Sequence, residues 1–92
     1  MELQTFLKEH QEELDLYTNA ITKAHGKHHP EVFEVKNLYH NIQQHVTNQQ
    51  SYKAEFQELD RITHHFAIPD DVCPTFEKTY RLLEKAFQLA QA

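Results

Sequence analysis

The chain has 92 residues, 39% hydrophobic and 25% charged, with one Gly, three Pro and a single Cys. That length supports one domain with a small core and little stability to spare. A net charge of −5, with nine scattered Lys and Arg, argues against nucleic acid or an anionic membrane as the main partner. No apolar run reaches the length of a membrane span, and "MELQTFLKEH" lacks the basic start and apolar run of a signal peptide. A cytoplasmic location is expected. The lone Cys73 has no internal disulfide partner, which agrees with a reducing compartment.

Apolar residues at Leu3, Phe6/Leu7, Leu14, Tyr17, Ala20/Ile21 and Ala24 step by three and four, which predicts a helix over about 2–25. His10 fills the one missing beat, between Leu7 and Leu14. "HGKHHP" then ends the helix: Gly26 suits a left-handed cap, and Pro30 can open the next helix.

A second stripe follows as Val32, Val35, Leu38/Tyr39, Ile42, His45/Val46, Gln49, Tyr52, Phe56, Leu59, Ile62 and Phe66. It keeps one phase through 31–67 without Gly or Pro. The soft point is "VTNQQS", where Thr47, Asn48 and Ser51 are poor helix formers. The unbroken phase predicts one long helix. "AIPDDVCPT" is a turn-rich connection, and Phe76, Thr79/Tyr80, Leu83, Ala86/Phe87 and Ala90 predict a last helix over about 75–91.

At 1.5 Å per residue the three helices would measure roughly 36, 55 and 26 Å. The outer two together nearly match the middle one. The expected fold is therefore all-α: antiparallel helical hairpins along a long central helix, completed to a four-helix bundle by pairing two chains. The alternative is a monomeric four-helix bundle with a sharp turn near Asn48.

In a hairpin turning near residue 28, His10 falls opposite Val46, beside His45. Glu13 lies one turn from His10 and Gln49 one turn from His45. Inward Glu and His at such spacings build di-metal sites, although carboxylates are few here. A histidine bonded to another polar side chain is the commoner reason for such a break in a stripe. His25, His28 and His29 at a helix end, and His64 and His65 near another, read first as solvated turns. No nucleophile–base pair is evident from spacing. Protonating all eight histidines would turn a net charge of −5 into +3, so pH sensitivity is a further expectation.

"AITKAHGKHHPEVFEVKNLYHNI" and "ELDRITHHFAIPDDVCPTFEKTYRLLEKAF" resemble stretches of the iron–sulfur cluster repair di-iron proteins, a hemerythrin-like family often called RIC. The similarity spans most of residues 17–87 and is most specific at 24–31 and 68–80. It implies a four-helix bundle holding two non-haem irons and a role in repairing iron–sulfur clusters after oxidative or nitrosative damage. Carried over, His25 matches the ligand before the glycine. His45 matches the start of a His-x-x-x-Glu motif whose glutamate is replaced by Gln49. The first-helix ligand falls near Gln4, the loop between the second and third helices is absent, and the final motif would begin just past Ala92. The resemblance thus implies a shortened relative lacking most di-iron ligands. The expected role is a dimeric, non-catalytic binding or regulatory module beside iron–sulfur or repair proteins, with no cofactor at full occupancy. The competing expectation is a functional iron-binding protein with a reduced or inter-subunit site. The candidate ligands are His10, Glu13, His25 and His45.

Overall fold

A computed structural model describes residues 1–91. It contains five helices and no strand among the described residues: α1 (Leu3–Glu9), α2 (Gln11–His25), α3 (Glu31–Thr47), α4 (Lys53–Ile62) and α5 (Pro74–Gln91). The Cα radius of gyration is 12.2 Å, near the roughly 12 Å expected of one compact body of this length.

The first predicted helix is bent rather than straight. His10 stands between α1 and α2 with φ −103° and ψ 10°, yet the hydrogen-bond ladder continues from His10 N–H to the Phe6 carbonyl and from Leu14 N–H to the His10 carbonyl. Leu3, Phe6 and Leu7 of α1 and Leu14 and Ile21 of α2 are buried. Thr18 and Thr22 share that interior, whereas Ala24 is exposed. Thr18 reaches its core position by donating its hydroxyl to the Leu14 carbonyl, 2.7 Å away, so that hydroxyl is not left orphaned.

The long central helix is not formed. α3 ends at Thr47, and the chain reverses through Asn48–Tyr52 into α4. Gln49 adopts φ 57°, Gln50 N–H bonds the His45 carbonyl at 2.7 Å, and Gln49 N–H bonds the Val46 carbonyl at 3.3 Å. This is a Schellman stop with glutamine in the place usually taken by glycine. A straight helix over 31–67 would be about 55 Å long, but the Cα trace extends only 35 × 24 × 19 Å. Folding back lets Phe56 and Leu59 bury within the same molecule as Leu38 and Ile42. The argument for completing the core with a second chain rested on the straight helix, and that ground is removed.

α4 also stops short of residue 67. His65 N–H bonds the Asp60 carbonyl at 2.8 Å and His64 N–H bonds the Arg61 carbonyl at 3.2 Å, a second Schellman stop. His64, His65 and Phe66 all take positive φ. The Thr63 hydroxyl accepts Phe66 N–H at 3.0 Å, and the reversal turns Phe66 into the core.

Gly26 is right-handed, at φ −58° and ψ −29°, and is no left-handed cap. Its role is steric: an added Cβ would meet the Phe33 ring at 2.7 Å and the Thr22 carbonyl oxygen.

α2 runs against α3 and α5, and α1 contacts α3 and α5. α4 packs on α3 and reaches α5 through Phe87, whose ring lies 6.2 Å from Phe56 and 5.5 Å from Phe66 between centroids. Tyr39 clamps α3 to α2: its hydroxyl donates to Asp15 Oδ1 at 2.6 Å and accepts Gln43 Nε2–H at 3.0 Å. No helix among the described residues is long and apolar enough to cross a membrane.

Candidate functional site

The four candidate ligands lie in three separate polar pairs. His10 and Glu13 are joined directly, one turn apart and both half-buried. Lys78 of α5 approaches the same carboxylate at 3.7 Å and sits 5.4 Å above the Tyr17 ring centroid. The hydrogen bond from His10, aided by Lys78, holds the Glu13 carboxyl below its ordinary range.

His45 does not meet His10 and Glu13 in a shared cluster. Its Nδ1 lies 3.3 Å from Glu55 Oε1, across the α3–α4 reversal. The approach is off the line of a hydrogen bond, and Nδ1 has no other polar partner. Gln49, the residue standing where a ligand glutamate was expected, is exposed on the turn, as is Gln4 on α1. The nearest carboxylate to His45 therefore comes from α4, ten residues along the chain.

His25 closes the third pair. Its Nε2 lies 3.2 Å from Cys73 Sγ and accepts the Cys73 N–H at 3.4 Å. Its ring stands edge-on to Phe76 at 5.3 Å and 89°. The sequence offered no nucleophile–base pair, yet this is a thiol beside an imidazole. Their separation of 48 positions gave no spacing to read. The neighbouring His29 is no solvated turn residue either. Its Nε2 bonds Asp71 Oδ1 at 2.9 Å, tying the α2–α3 turn to the loop before α5, and its Nδ1 lies 3.4 Å from Glu31. That hydrogen bond lowers the Asp71 carboxyl. His28, His64 and His65 are exposed, as their turn positions imply.

Among the described residues, no three His, Cys, Asp or Glu side chains come together as a metal site. The interior holds Leu14, Tyr39, Ile42, Tyr80 and Leu83, all almost fully buried. Burial raises the Tyr39 and Tyr80 hydroxyls well above the ordinary tyrosine range, reinforced at Tyr39 by the bond to Asp15. The Tyr80 hydroxyl has no hydrogen-bond partner. An open polar groove between α2 and α3 is lined by Gln11, Asp15, Gln43 and Thr47, and its one carboxylate is engaged by Tyr39.

The lowered carboxyls set an acid limit. A group whose folded pKa is depressed stabilises the fold above its unfolded pKa and loses that contribution as pH falls through the folded value. Glu13 and Asp71 are such groups. The melting temperature should therefore fall between about pH 5 and pH 3. The Glu13→Gln/Asp71→Asn variant should show a shallower fall, and so should added salt, because both carboxylates are solvent-accessible. Parallel wild-type and variant curves would contradict these pairings.

The class defined by this fold is an all-helical protein of five helices, with His10, His25, His29 and His45 each beside a polar side chain. No family model matches the chain, and no curated protein or solved structure matches it.

Proposed function

We propose that the chain is a non-catalytic helical relative of the iron–sulfur cluster repair di-iron proteins. On this reading it acts as a binding or regulatory module beside iron–sulfur or repair proteins under oxidative or nitrosative stress. Its five helices make a four-helix bundle in which α1 and α2 form one bent arm. The observation that carries the reading is the dispersal of His10/Glu13, His25 and His45 into three pairs around an apolar interior. A di-iron centre needs several carboxylates and histidines converging on one cavity. Here no three such groups come together among the described residues, the buried core is largely hydrocarbon, and His10 and His25 are each bonded to a neighbouring side chain.

One observation favours a second reading, an iron-binding protein with a reduced site. Glu55 supplies His45 with a carboxylate that Gln49 does not. Histidine and carboxylate are both metal-ligand types, and this pair brings one of each together at 3.3 Å.

A reactivation assay separates the two. A peroxide-damaged [4Fe–4S] enzyme is given ferrous iron and thiol, with and without this chain. The module reading predicts no acceleration by the chain alone, and a changed rate only when a full-length di-iron repair protein is also present. Acceleration by the chain alone, lost in Glu55→Gln, would establish the second reading instead.

A further inference from the structure

We infer that the Asn48–Tyr52 reversal is a hinge, and that opening it lets a second copy of this chain exchange its α4–α5 half. This goes beyond the functional reading and does not depend on it.

The reversal is closed by the two Schellman hydrogen bonds, and within it Gln49 sits in an unfavourable conformation. Gln49 has φ 57°, a region that glycine enters freely and glutamine does not. Nothing in the turn offsets this by burial, since Thr47, Asn48, Gln49, Gln50 and Ser51 are all exposed. The second left-handed turn differs on this point, because Phe66 is buried and bonded to Thr63.

The sequence on either side is already written for a straight helix. Ile42, Val46, Tyr52, Phe56 and Leu59 keep steps of three, four and six, with Gln49 midway through the six. If Gln49 turns right-handed and residues 50–52 also take helical angles, α3 and α4 join into one helix over 31–62, about 48 Å long. The α4–α5 half then leaves its own α1–α3 half. A second opened copy offers the vacated surface with every partner group in place. His25–Cys73, His29–Asp71, Lys78–Glu13 and His45–Glu55 would all re-form between chains. The antiparallel reversal that sets residue 45 beside residue 55 also sets two straightened helices side by side. Because the closed contacts are reused, the balance between forms rests on the hinge and on concentration.

The test refolds three proteins at equal high concentration and reads mass by light scattering: wild type, Gln49→Gly, and Asn48→Ala/Gln49→Ala. Glycine favours the left-handed turn and weakens the straight helix; the alanines favour the helix. Each dimer holds two hinges, so each change counts twice. The dimer-to-monomer equilibrium should fall at least about ten-fold with glycine and rise about ten-fold with the alanines. Differently tagged chains should form mixed dimers after refolding together, but not within minutes of mixing native monomers. No dimer in any of the three, a dimer fraction indifferent to residue 49, or rapid mixed dimers from native monomers would each overturn the proposal.

Discussion

Replacing Phe76 with alanine should destabilise the fold by about 3–5 kcal/mol. Phe76 is fully buried near the start of α5. Its ring meets His25 at 5.3 Å, His29 at 5.8 Å and Tyr80 at 4.4 Å between centroids. It thus sits where the end of α2, the α2–α3 turn and α5 converge. Truncation removes the apolar contact and leaves two histidines facing a cavity. A domain of this size has only about 5–15 kcal/mol to lose. Urea denaturation should show a large drop in midpoint with little change in slope, and Phe76→Leu should recover part of it. A loss under about 1 kcal/mol would mean this corner is loosely packed.

Gly26→Ala is the second large effect, and its sign runs against helix propensity. Gly26 has right-handed angles, so alanine should gain up to about 1 kcal/mol from backbone entropy. The structure reverses that gain, because a Cβ would enter the Phe33 ring at 2.7 Å and crowd the Thr22 carbonyl. The expected net result is destabilisation by about 1–3 kcal/mol. Phe33 is half-exposed, so Phe33→Ala alone should lose little. The double variant should recover part of the loss, and a mutant cycle measures how much. A more stable Gly26→Ala protein would contradict the steric role.

These two positions also show what the sequence could carry. The face of α5 was readable: Phe76, Tyr80, Leu83 and Ala86 step by three and four, and all are buried. Val32, Val35, Leu38, Tyr39 and Ile42 were equally plain on α3. Gly26 was misread because glycine answers two needs, a positive φ and a close approach, and only packing says which. The end of α3, offered only as the alternative to one long helix, was passed over for the converse reason. Its left-handed residue is Gln49, and a period of three and four ran on through the turn. Periodicity reports which face is apolar; it does not report whether the chain continues or doubles back to bury that face.

The candidate site divides in the same way. His10 and Glu13 are three residues apart, and their pairing follows from helix geometry. His45–Glu55 spans a reversal that the sequence offered only as its alternative, a sharp turn near Asn48, and His25–Cys73 joins residues 48 apart. Such contacts belong to tertiary structure. The family resemblance singled out His25 and His45 without saying what each would face.

The central claim is that these histidines serve as separate polar pairs and not as one iron centre. Metal content tests it most directly: elemental analysis of the protein produced in iron-supplemented medium, read on the monomer peak near the 11.0 kDa chain mass. The account predicts iron well below one per chain, unchanged in His10→Ala and His45→Ala. One or two irons per chain, lost in His45→Ala, would contradict it.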